Sequence, residues 1–187
     1  MMQAEEYLEK IPMWTREKHS LTDIRAFLHE MGDPDRKLSI IHVAGTNGKG
    51  SVCAFLTSLY RNAGFRTGTF ISPHLVTVRE RFLLNNEMVS PGKLQAAFET
   101  VLETVNIMKE KGYSHPSYFE FLFYMAMALF ADETPELVIL ETGLGGRLDA
   151  TNVVENPLAC VITSISLDHI MYLGDTIERL QERRQGS

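Results

Sequence analysis

Apolar positions along this chain alternate between continuous runs and helical periods. Ile24, Phe27, Leu28 and Met31 stand three or four residues apart, which puts them on one face of a helix. Ser20 and Asp23 precede that period as a hydroxyl and a carboxylate at a helix start, and Gly32-Asp33-Pro34 ends it. Leu38 to Ala44 is a short, β-branched apolar run, the pattern of a buried strand. Helical spacing returns with Val52, Phe55, Leu56 and Leu59, which predicts a helix over Val52 to Ala63 closed by Gly64. A second strand is predicted over Thr67 to Ile71. Arg81 to Val89 alternates loosely about Asn85-Asn86, which predicts a hairpin outside the main sheet.

Two further helices are predicted over Pro91 to Lys111 and Ser117 to Ala131, the second with Ser117 and Glu120 in capping-box spacing. Glu136 to Glu141 and Leu158 to Ile165 read as two more buried strands. Strands separated by helices pair in parallel through right-handed crossovers, so the predicted fold class is α/β: a P-loop-containing, mostly parallel sheet with helices on both faces. Ligands of such sheets gather at the carboxyl ends of the strands, where the Gly-rich and carboxylate-bearing loops of this chain fall.

Composition narrows the function classes. The 187 residues suit one well-buried domain, and 44% apolar with 22% charged residues is ordinary globular usage. A formal net charge of −6 argues against a general nucleic-acid binder. Glu5, Glu6 and Glu9 stand where a secretory signal would be basic. The most apolar region, Tyr118 to Phe130, is short for a membrane span and is interrupted by Glu120. A cytoplasmic protein without nucleic-acid or membrane partners is expected. Cys53 and Cys160 stand far apart without further ligands, so two buried free thiols are expected in place of a zinc site or a disulfide.

The chemistry is concentrated in Gly45-Thr46-Asn47-Gly48-Lys49-Gly50-Ser51, between a predicted strand and a predicted helix. Glycines let backbone N–H groups approach phosphate oxygens, the helix start adds partial positive charge, and Lys49 adds a full one. Gly50 intervenes between Lys49 and Ser51, so the spacing departs from the common Gly-x-x-x-x-Gly-Lys-Ser/Thr loop. That departure, and the lack of an Asn-Lys-x-Asp motif, weaken a P-loop kinase or GTPase reading. Glu141 ends an apolar strand, where a carboxylate either meets a cation or turns to solvent. His169, after the last predicted strand, and Ser72, after the second, read either as ligands at the same edge or as a hydrogen-bonded histidine and a turn hydroxyl. The Gly-rich segment Glu141 to Asn152 lacks Gly-x-Gly-x-x-Gly and reads as a loop over substrate or as an ordinary connection.

Taken together, five ordered motifs resemble folylpolyglutamate synthase and dihydrofolate synthase, members of the Mur ligase superfamily. They are His42-Val43-Ala44 with the Gly45–Ser51 loop, Ile71-Ser72-Pro73-His74-Leu75, Val78-Arg79-Glu80-Arg81-Phe82, the segment Glu141 to Asn152, and Leu167-Asp168-His169-Ile170-Met171-Tyr172-Leu173-Gly174-Asp175. Ser72 to Leu75 with Arg79 to Arg81 points to the folate enzymes over the cell-wall Mur ligases. The resemblance runs in register from about Tyr7 to Glu178 and implies a Mur-ligase central-domain type of sheet. It implies ATP contacts from Thr46, Asn47, Gly48, Lys49, Gly50 and Ser51, and magnesium ligation by Ser72, Glu141 and His169, with Ser51 as an additional candidate. Lys49, Glu141 and His169 would then carry the catalysis.

By the same comparison Ser117, Tyr118, Phe119 and Glu120, together with Leu148, Asp149 and Ala150, would lie at the folate pocket. For the first group the capping box is a sufficient structural explanation. The implied partners are ATP, Mg2+, folate or dihydropteroate, and L-glutamate, in a family that is often monomeric. Beyond Glu178 the resemblance fails. Leu180 to Ser187 stands where a Glu-Lys-Ala-Gly-Ile-type segment is expected. Residues 1–187 are thus expected to form an ATP-binding domain incomplete at its C-terminal end, with the C-terminal ligase domain absent and turnover by this chain in doubt. The alternative is a nucleotide-binding module without turnover.

Overall fold

The computed structural model describes residues 3–12, 19–143 and 149–165. Helices α1 (Ala4–Leu8) and α2 (Leu21–Glu30) lead into strand β1 (Ile40–Ala44). Helix α3 (Lys49–Asn62) and strand β2 (Thr67–Phe70) follow, then the short strands β3 (Phe82–Leu84) and β4 (Glu87–Met88). Helices α4 (Pro91–Glu110) and α5 (Tyr118–Glu133) precede β5 (Leu137–Glu141) and β6 (Ala159–Ile162). The strands form one sheet in the order β4-β3-β2-β5-β1-β6, in which β2, β5, β1 and β6 run parallel.

Alternation along the central strands divides the core in two. Ile40, Phe70, Val138 and Leu140 join α2, α4 and α5 on one face, whereas Ile41, Val43, Leu137 and Ile139 meet Cys53 and the partly buried Val52 and Leu56 of α3 on the other. Burial of both faces is why these strands read as unbroken apolar runs. Helix α5 is buried almost all round, from Phe121 to Met127, because the sheet residues Phe70, Val138 and Leu140 share its core cluster and α4 packs along it. Its capping box is real: Ser117 Oγ accepts from the Glu120 amide, and the Glu120 carboxylate accepts from the Ser117 amide at 2.7 Å.

Two expectations are corrected. The Arg81–Val89 hairpin does not lie outside the main sheet. β3 pairs antiparallel with β2, and the Asn85 side chain accepts a hydrogen bond from the Thr67 amide at 2.9 Å while its own amide donates to the Thr67 carbonyl at 2.8 Å. Those long-range bonds have no signature in local alternation. Cys53 is buried as expected, but Cys160 is exposed. It sits on β6, one of the two edge strands of the sheet among the described residues.

His42, inside β1, is buried, and burial brings its pKa down from 6.5 to about 4. Thr151 Oγ1 donates to the acceptor-only carboxylate of Asp149 at 2.6 Å, so in its 2.7 Å contact with His42 the imidazole Nε2–H must be the donor. The unfolded chain takes up this proton near pH 6.5 and the folded chain only near pH 4. Stability is therefore complete above the higher value and lost as pH falls between the two, by up to about 3 kcal/mol. Urea titrations at pH 7 and 4.5 are expected to show a smaller acid loss for His42→Gln than for the unaltered chain; equal losses would discount the histidine.

Candidate active site

At the carboxyl end of β1 the chain passes through Gly45, whose φ of +142° belongs to glycine. A Cβ there would lie 1.8 Å from Thr163 Oγ1, so the loop runs tight against the segment after β6. The Ser164 carbonyl accepts from the amides of Thr46 at 2.9 Å and Asn47 at 3.4 Å. Gly48, at φ +84°, turns the chain into α3. The first helical bond runs from the Val52 amide to the Gly48 carbonyl, so the amides of Lys49, Gly50 and Ser51 have no intrahelical acceptor. Among the described residues nothing lies within 4 Å of a Cβ built on Gly48 or Gly50, so this helix start opens away from them with its partial positive charge outward.

Glu141 faces that helix start. It ends β5 on the α3 side of the sheet, 3% exposed, with Oε2 accepting the Ser72 amide at 2.8 Å and Oε1 lying 4.0 Å from Lys49 Nζ. Burial raises its pKa, and the Ser72 hydrogen bond, Lys49 and Arg81 counter this only in part. The ionised carboxylate is thus under-compensated by the protein alone. A buried carboxylate beside a serine at the carboxyl edge is the hard-oxygen donor set that suits magnesium. Among the described residues, no group of three or more His, Cys, Asp or Glu is placed to hold a metal, so the described part of the site offers two oxygen ligands and no closed cage. His169 and Leu148 lie outside the described residues.

The segment Ser117 to Glu120 divides. Ser117 and Glu120 close the cap of α5, and the Glu120 carboxylate also faces His19 at 3.5 Å, so both serve the fold. Tyr118 lies beneath the Arg81 guanidinium, 5.6 Å from its ring centroid. Phe119 contacts Phe70 and fills the space beside Gly143, where a Cβ would meet its ring at 2.6 Å. These two aromatics therefore border the edge that holds Glu141. Asp149 caps the 3-10 turn Ala150–Val153 and bonds Thr151, while Ala150 is buried in the core. In the sequence Arg81 stood only within the motif that points to the folate enzymes, with no site role of its own, and Ser164, whose carbonyl closes the glycine loop, did not stand out at all. A buried arginine and a backbone acceptor distant in sequence carry no local signal.

No family model matches the chain. It is 45% identical over 150 residues to a folylpolyglutamate synthase of Arabidopsis thaliana, covering 80% of this chain and 26% of that protein. It is 41% identical over 170 residues to the dihydrofolate synthase/folylpolyglutamate synthase of Bacillus subtilis strain 168, covering 90% and 39%. Among solved structures, E. coli FolC in complex with DHPP and ADP superposes with a TM-score of 0.87 at 33% identity, covering 100% of this chain and 45% of that one. The chain thus spans between about a quarter and a half of the proteins it matches. Over the stretch they share, the chain belongs to the folylpolyglutamate synthase and dihydrofolate synthase family.

Proposed function

We propose that this chain carries the ATP-binding and phosphoryl-transfer part of an ATP-dependent ligase that adds L-glutamate to folates. The observation that supports this most directly is the open start of α3, with Lys49 Nζ 4.0 Å from the buried Glu141. The amides of Lys49, Gly50 and Ser51 and the Lys49 ammonium bind the ATP phosphates. Ser72, Glu141 and His169 would hold Mg2+, which when bound offsets negative charge on the transferred phosphoryl group. A folate-side carboxylate oxygen attacks the γ-phosphorus, ADP leaves, and an acyl phosphate forms. The glutamate amine then attacks the acyl carbon; a C–N bond forms, inorganic phosphate departs, and the amine loses a proton. Lys49 stabilises the charge that develops during transfer, and no covalent link to the protein is needed.

Calorimetric titration with a non-hydrolysable ATP analogue, with and without Mg2+, tests this reading. The unaltered chain is expected to bind more tightly with the metal, and Glu141→Gln is expected to lose about tenfold or more of that gain. The same variant should not melt earlier, because a neutral amide still accepts the Ser72 N–H without a buried charge. A metal response unchanged in Glu141→Gln would remove the carboxylate from the site. A nucleotide-binding module without turnover would titrate identically and form no amide, so product analysis alongside the titration separates the two.

A further inference from the structure

Arg81 is 5% exposed, and burial lowers its pKa. Its side-chain partners among the described residues are a ring nitrogen and a ring face: Nε donates to His74 Nδ1 at 2.8 Å, and the guanidinium stands over Tyr118. Its neighbours in sequence are occupied differently. Arg79 Nη1 donates to the Val89 carbonyl at 3.2 Å, and the Glu80 carboxylate accepts from the amides of Leu75, Val76 and Thr77 at 2.8 to 2.9 Å. Glu80 thereby fixes the loop between β2 and β3 without neutralising Arg81. Glu141 acts on Arg81 through charge, without a hydrogen bond or ion pair among the described residues, and a buried guanidinium paired so incompletely is unfavourable unless an anion completes it.

The backbone puts this cation next to the metal-binding edge. Phe82 pairs with Phe70, and the Arg81 carbonyl accepts the Ile71 amide at 3.1 Å. The next residue, Ser72, donates its amide to Glu141. Arg81 and Glu141 thus flank Ser72, and the two terminal amino groups of Arg81 make no hydrogen bond among the described residues. Their fork matches a carboxylate in two-point contact, and stacking on Tyr118 sets its plane.

Resting on the function proposed above, we infer that Arg81 binds the carboxylate of the acid substrate and presents it to the ATP γ-phosphate. The probes are pteroic acid and its amide, titrated into the chain with Mg-ADP. The acid is expected to bind about ten- to a hundredfold more tightly than the amide, and Arg81→Met should abolish that preference while leaving ADP affinity unchanged. ADP binding doubles as the check that the variant is folded. Arg81→Lys, which keeps the charge and loses the fork, should retain only part of the preference.

Three results would overturn the inference: an unaltered chain that does not favour the acid, a preference that survives in Arg81→Met, or a loss confined to ADP, which would assign the arginine to nucleotide phosphate. Should the unaltered chain fail to bind ADP, the functional proposal falls by itself. The acid and amide compared without nucleotide then still decide the role of Arg81.

Discussion

Replacing Lys49 with alanine is expected to lower affinity for an ATP analogue by about a hundredfold, the value of a charge-assisted contact to phosphate in a partly desolvated site. The side chain is 15% exposed and opens α3, so its ammonium adds to the first-turn amides behind it, which have no intrahelical acceptor. It is also one of two cations acting on the buried Glu141 carboxylate. Without it the Glu141 pKa should rise further. A raised carboxyl pKa destabilises the fold above the unfolded value of 4.5, so the variant's stability deficit should grow as pH rises above that value. Calorimetry would read the affinity and thermal unfolding the deficit. Unchanged nucleotide affinity in Lys49→Ala would dismantle the phosphate site, and with it the ligase reading.

Gly45→Ala is expected to lower the unfolding midpoint by about 10 °C, corresponding to about 3 kcal/mol in a chain of this size. Two effects add. The φ of +142° is strained for any residue with a Cβ, and the added carbon would overlap Thr163 Oγ1 at 1.8 Å and press on the Thr163 backbone nitrogen at 3.1 Å. That threonine cannot easily retreat, since its amide is bonded to the Ala44 carbonyl at 2.8 Å in the β1–β6 ladder. The displaced loop should also lose nucleotide affinity, because the Ser164 carbonyl that holds the Thr46 amide is the next residue along. Adding Thr163→Ala removes the hydroxyl clash and leaves the strained φ, so it should restore part of the midpoint. No shift in Gly45→Ala would show that the loop is slack.

Most strands and helices were legible because burial on both sheet faces and amphipathic helix faces write their period into adjacent residues. The capping box of α5 was legible for the same reason, with donor and acceptor three residues apart. Boundaries shifted modestly: the helix predicted from Val52 begins at Lys49, since the glycine loop itself supplies the first turn. The short helix α1 and the sheet position of β3 and β4 were not legible. In the second case the deciding bonds link Asn85 to Thr67, eighteen residues apart.

The sequence by itself determined where a phosphate could be cradled, because a glycine loop between strand and helix is local chemistry: backbone freedom, a helix start and one lysine within seven residues. Only the tertiary structure decided which polar groups are occupied and which remain available. Glu120 and Ser117, adjacent to the aromatics of the same segment, cap their own helix, while Arg81, near Ser72 and Glu141, makes no ion pair among the described residues. Hydrogen-bond and charge satisfaction depend on partners brought from distant strands. A local pattern can therefore name the donor, but it does not reveal whether the fold has already supplied its acceptor.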